Sequence, residues 1–277
     1  MQAVDEFERM ALGPDRDIDL VRGALLIAAE QYPNLDVGEY VRRLDELGAI
    51  LGARLRPDIG PTDAIRSLNR YMFGELGFHG AVDDYYDPRN SFLNEVLDRR
   101  IGIPITLAIV YMRLGRHLNL RLAGVSFPGH FLVRCPVHEG TVILDPYNKG
   151  ASLGILDLQK RLTGEQGRGP GPADVAAMLA PANPREILAR LLRNLRGIHA
   201  QYNQHAEALV TTSRILALTP DNALEWRERA RLHLVLECFR AALGDFQRYV
   251  ALAPEADDLE AIRARIVELQ ERCARLN

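Results

Sequence analysis

Leu218-Thr219-Pro220 returns 34 residues later as Leu252-Ala253-Pro254, and the same shift pairs Ala208 with Ala242, Leu209 with Leu243, Ile215 with Tyr249 and Leu216 with Val250. The matched residues are small or apolar and fall at helical spacing. Each block ends on a proline, which cannot extend a helical hydrogen-bond ladder. A period of this length marks a helix–turn–helix unit, in which a small residue lets two helices approach and bulky ones fill the space between them. In the second block, Trp226, Ala242, Phe246 and Pro254 stand at the aromatic, small, aromatic and terminating positions of such a unit. A last helix over 259–276 caps the stack.

This pattern resembles the tetratricopeptide repeat. One unit cannot bury its own apolar face, so repeats stack and offer a concave surface to a protein or peptide partner. Two readings stay open here, partner binding or a C-terminal brace for the rest of the chain, because fold alone does not choose between them. Toward the N-terminus, Thr163–Ala173 holds four glycines and two prolines. That composition predicts a linker over 163–180. It separates the repeats at 181–277 from a domain at 1–162.

Within that domain, Leu20, Ala24, Leu25 and Ala28 mark one helix, and Val41, Leu44, Leu47, Leu51 and Leu55 mark another. A third opens at Asp63. The texture changes after Asp84, where a short helix from Ser91 precedes Gly102-Ile103-Pro104 and an apolar helix to about Leu118. Three strand-like runs follow, Arg121–Ser126, His130–Arg134 and Thr141–Leu144, with turns at Pro128-Gly129 and His138-Glu139-Gly140. The connections are too short for parallel crossovers, so the expected class is α+β.

Bulk properties narrow the function. The chain has 277 residues, 47% hydrophobic and 26% charged, with a formal net charge of -3. This balance gives no broad basic field for nucleic acid. Cys135, Cys238 and Cys273 are odd in number and lack metal-site spacing, so neither a disulfide framework, a metal nor any other cofactor is expected. The acidic and arginine-rich N-terminus has no apolar signal core, and the longest apolar stretch, Ile101–Met112, is too short to span a bilayer. A cytoplasmic protein is the expectation.

The stretch from Asn90 through Asn94-Glu95 to Gly102-Ile103-Pro104-Ile105-Thr106-Leu107-Ala108, with Phe127-Pro128-Gly129-His130 and Leu144-Asp145-Pro146-Tyr147-Asn148, closely resembles the SirB-type family of bacterial transglutaminase-like, tetratricopeptide-containing proteins. The resemblance implies a helical N-terminal region, a transglutaminase-like (papain-like) α/β core and C-terminal helical hairpins. It also implies a regulator's label, with no settled biochemical activity. In the wider superfamily a cysteine opens a helix, where free N–H groups and the macrodipole stabilise its thiolate. A histidine and an aspartate from the following strands complete the set. Matched to that pattern, His130 takes the histidine position, Asp145 the aspartate position and Pro104 the cysteine position.

Proline suits the first helical position but brings no nucleophile. Thr106 lies about 200° around the helix from Pro104 and should face away. Cys135 lies too far along the strand from His130 to replace the missing thiol. His130 and Asp145 are then either a satisfied polar pair left from an enzymatic ancestor or an acid–base dyad working on water. Asn94 and Glu95 either line the same cleft or serve as a helix surface and cap. The leading expectation is a non-enzymatic regulatory or scaffolding protein that binds protein partners through its repeats. The alternative is an amide or peptide hydrolase, or a transamidase, that uses His130 and Asp145 without cysteine.

Overall fold

Leu20–Ala29 (α2) follows a first helix, Gln2–Leu12 (α1), and is opened by Asp19, whose side chain accepts from the amides of Val21 and Arg22 at 3.0 and 3.1 Å. An aspartate here satisfies amides that have no partner inside the helix. Asp36 does the same for Val37–Ala53 (α3), accepting from Glu39 at 3.0 Å. The next helix, Pro61–Asn69 (α4), begins two residues before Asp63 because Pro61 takes its first turn, and it runs into a π-helical turn over Arg70–Glu75. The structure, a computed structural model, describes residues 2–162 and 169–275.

His79–Gly80 (β1) and Ile101–Gly102 (β2) form a short parallel pair, with Leu93–Arg99 (α5) between them in sequence. Then comes Pro104–Arg116 (α6), with Pro104 in its first turn and every residue from Pro104 to Tyr111 buried. A helix apolar all round needs neighbours on all sides, and α6 packs against α2, α3 and α4 and against the sheet beyond it. Gly48 of α3 allows the close approach, since a Cβ there would lie 2.2 Å from the His117 ring.

The sheet is antiparallel, in the order Ala123–Val125 (β3), Leu132–Val137 (β4), Gly140–Asp145 (β5) and Ala151–Leu153 (β6). Val133 pairs with Leu144, and Cys135 with Val142. The expected strand His130–Arg134 starts two residues later. His130 sits in the bend before β4 and not on the strand, because Pro128-Gly129 turns the chain and Gly129 holds a φ of +68°. Strand β6 and the β1–β2 pair were not expected from sequence, as both are too short to carry a period-2 pattern.

Val125, Phe127, Leu132 and Ile143 build one cluster with Leu158 of the helix Ile155–Leu162 (α7) and Val175 of the helix Pro172–Ala177 (α8). Residues 163–168 of the expected linker lie outside the described residues. Its later part holds α8, with Val175 and Leu179 buried in that cluster.

The chain divides into two compact units, Met1–Ile187 and Leu188–Asn277. Helix Pro184–Gln201 (α9) runs into the second unit, which continues with His205–Leu218 (α10), Ala223–Val235 (α11), Phe239–Leu252 (α12) and Leu259–Arg275 (α13). Both ends of α10 and α12 stand 34 residues apart, matching the sequence offset. Each helix from α10 to α13 packs on the next, and α11 against α12 most extensively. Ala230, Ala242, Phe246, Tyr249, Ile262 and Leu269 form the buried cluster. The expected final helix reached Leu276, which lies outside the described residues.

Candidate active-site cleft

Asp145 ends β5 and at once opens a 3-10 turn, Pro146–Asn148, so its carboxylate points back into the fold. Only 1% of the residue is exposed. His130 is brought beside it because the bend before β4 places the imidazole over the end of β5. Its Nε2 lies 2.8 Å from Asp145 Oδ1, and Arg161 of α7 donates to Oδ2 at 2.9 Å. The amide of Asn148 adds a bond to Oδ1 at 3.3 Å. Burial pushes the Asp145 carboxyl up, but the hydrogen bonds and charges of His130 and Arg161 outweigh burial and hold it below the usual carboxylate range.

The turn that carries Asp145 is itself anchored. Asn69, at the end of α4, accepts from the Tyr111 hydroxyl at 2.8 Å and donates to the Gly150 carbonyl at 3.0 Å. Tyr147 lies against Gly80, where a Cβ would come within 2.6 Å of the ring, and its hydroxyl donates to the Ala81 carbonyl at 2.5 Å. The Tyr147 ring also meets His130 edge-on, with centroids 5.9 Å apart. A cavity of about 520 Å³ opens on this group, lined by His79, Val82, His130, Tyr147, Lys149 and Arg161 among others.

Proline, and not cysteine, occupies the first turn of α6. Pro104 is buried there and is not among the residues lining the His130 cavity. The hydroxyl of Thr106 accepts from the Ile103 amide at 3.0 Å and lies 2.9 Å from the Asn90 carbonyl, so it serves as a helix cap within the core. Cys135 is buried in β4, and burial pushes its thiol pKa up, away from a reactive thiolate.

Asn94 is buried on α5 with an oxygen that makes no hydrogen bond, and neither it nor Glu95 lines the cavity. Glu95 instead faces the Tyr32 hydroxyl, whose pKa is raised by burial and by that carboxylate. The sequence therefore marked His130 and Asp145, which do meet, and Asn94, Glu95 and Pro104, which lie apart from the cavity. It missed Arg161, whose position on an amphipathic helix gives no hint of its partner. It also missed Asn69, His79 and Lys149. Tyr147 was within reach, being two residues from Asp145. Among the described residues, no group of three or more His, Cys, Asp or Glu side chains could hold a metal ion.

A family model described as the transglutaminase-like superfamily matches residues 38–193, just over half of the chain. The chain belongs to this superfamily. A tetratricopeptide repeat model matches residues 195–267. Among relatives of this transglutaminase-like protein, a UPF0162 protein of Xylella fastidiosa is 38% identical over 269 residues, covering 95% of this chain and 94% of that one. A UPF0162 protein of Pseudomonas aeruginosa is 37% identical over 250 residues, 90% of each. The F-box only protein 21 of Homo sapiens is 29% identical over 189 residues, which is 63% of this chain but 28% of that one. No solved structure matches the chain. Among the described residues, no helix is long and apolar enough to cross a membrane.

Proposed function

We propose that this transglutaminase-like protein works through protein contacts and not through catalysis, as a cytoplasmic regulator or scaffold of the SirB type. One observation carries the reading. Pro104 occupies the first turn of α6, where the superfamily's thiol would stand, and the nearby Thr106 hydroxyl is committed to capping. Without a nucleophile, a histidine–carboxylate pair offers only general acid–base help, worth about 10² to 10⁴-fold. The repeats supply the contact surface, since stacked tetratricopeptide helices generally engage protein or peptide partners.

The second reading, hydrolysis or transamidation of an amide by water or an amine activated at His130, draws on the contact between His130 and the buried Asp145 beside an open cavity. One experiment separates the two. Purified protein is incubated with a glutamine-containing peptide and a primary amine, and ammonia release and amine incorporation are followed for wild type and His130→Ala. The contact-only reading expects background rates for both. Turnover by wild type that disappears in a folded His130→Ala variant overturns it.

A further inference from the structure

We infer that the His130 cavity binds a small carboxylate carrying an aromatic body, held by its charge at Lys149 and by its ring along the tyrosines at the rim. The charge argument begins with Asp145, the acidic side chain among the lining residues. It is 1% exposed and its oxygens are already bonded to His130, Arg161 and the Asn148 amide, so it presents little negative charge to the cavity. Lys149 is one of two lysines in the whole chain, and among the described residues no carboxylate pairs with it. Its backbone is fixed in the left-handed region at φ +54°, immediately after the turn that carries Asp145. Lys149 and Arg161 therefore outnumber the single carboxylate among the lining residues. An excess of one sign of charge in a cleft concentrates ions of the other.

The body of the ligand is read from the rim. Val82 is 81% exposed and lines the cavity, and the same loop exposes Tyr85 and Tyr86. Tyr85 meets Tyr147 edge-on with centroids 6.3 Å apart, and Tyr147 meets His130 at 5.9 Å, so a run of aromatic edges leads from the surface to the imidazole. Aromatic groups favour such edge-to-face partners. Exposed apolar side chains gathered beside a cavity mark a binding surface. The volume, about 520 Å³, falls in the usual range for small-ligand sites. The carboxylate can come from a free aromatic acid or from a peptide ending in an aromatic residue, because both present the same chemistry.

The test uses the full-length protein and N-acetyltyrosine, with N-acetyltyrosine amide as the uncharged control and a tetrapeptide ending in tyrosine as the peptide source. Binding is followed by NMR of the His79 and His130 imidazoles. N-Acetyltyrosine should shift both saturably, the amide should bind at least about tenfold more weakly, and Lys149→Gln should weaken the acid by a similar factor. Lys149→Arg, which keeps the charge, should retain binding. Tighter binding of the tetrapeptide than of the free acid assigns the peptide source, and the reverse assigns the small molecule. Absence of a saturable shift at about 10 mM, or binding of the acid unchanged by Lys149→Gln, overturns the inference. The amide assay above reads turnover, and this titration reads occupancy, so either can fail without the other.

Discussion

The Asn69 side-chain amide donates to the Gly150 carbonyl at 3.0 Å, and the same side chain accepts from Tyr111, so one residue at the end of α4 ties the buried helix α6 to the turn behind Asp145. The position of the His130–Asp145 pair is thus set partly by a residue 76 positions upstream of the aspartate. Gly150 also accepts no side chain in this arrangement. Its φ is +72°, and a Cβ would lie 2.1 Å from Asn69 Oδ1.

Gly150→Ala should therefore cost about 2–4 kcal/mol, from left-handed backbone strain together with overpacking against Asn69. Hydrogen exchange at the amides of β5 and β6 reads the change within the first unit. In an Asn69→Ala background the added cost should fall to about 1–2 kcal/mol, because only the backbone strain remains. An undiminished cost there would show that the clash with Asn69 contributes nothing.

Asp145 is held below the ordinary carboxylate value of 3.8, so it contributes stability that is fully present above that pH and lost as pH falls through its lower folded value. Asp145→Asn should be less stable than wild type at neutral pH by about 1–3 kcal/mol. The gap should close below pH 3.8 as the wild-type carboxyl takes its proton. Thermal unfolding followed by circular dichroism across that window measures it. Parallel stability curves for the two proteins would show that the carboxylate's charge is not what the site uses.

Much of this was legible in the sequence, and the misses share a physical cause. The 34-residue offset located α10 and α12 because buried positions recur where helices stack, as Ala208 and Ala242 do with no exposed surface. Pro104 announced the start of α6 because proline's missing N–H costs nothing in a first turn. The residues that complete the cleft were hidden for a different reason. Arg161 and Asn69 act through contacts set by tertiary packing, and nothing in their local sequence records a partner 16 or 81 positions away. Strand β6 and helix α8 are too short for periodicity to register. The shift of His130 from strand to bend follows from Gly129, whose positive φ ends the turn one residue before it.

His233 in α11 should give the repeat unit an acid-sensitive limb. Burial and the nearby Arg229 lower its pKa below 6.5, outweighing Asp245, whose Oδ2 lies 3.7 Å from Nε2. Its Nδ1 is buried without a hydrogen bond. A depressed folded pKa means stability present above 6.5 and lost as pH falls through the folded value. His233→Met should flatten the decline below pH 6.5 while leaving the alkaline side unchanged. Urea midpoints from the fluorescence of Trp226, the single tryptophan, report this unit directly. Equal slopes in the two proteins would assign the decline elsewhere.

Arg229 and Asp245 join α11 to α12 through two parallel bonds of 2.8 Å, and the guanidinium also lies 4.8 Å from the Trp226 ring centroid. Asp245 is 5% exposed. A charge buried this far is tolerable only while its partner stays, so Arg229→Met should cost about 3–5 kcal/mol by leaving the carboxylate uncompensated. Replacing both members, Arg229→Met with Asp245→Leu, removes that penalty along with the pair. The double variant should then be more stable than Arg229→Met alone, and it can approach wild type because two well-packed apolar side chains often match a buried ion pair. Trp226 fluorescence in urea gives all four midpoints of the cycle. Costs that simply add would mean that the two residues stabilise the hairpin independently, and that their pairing is not the clamp between α11 and α12.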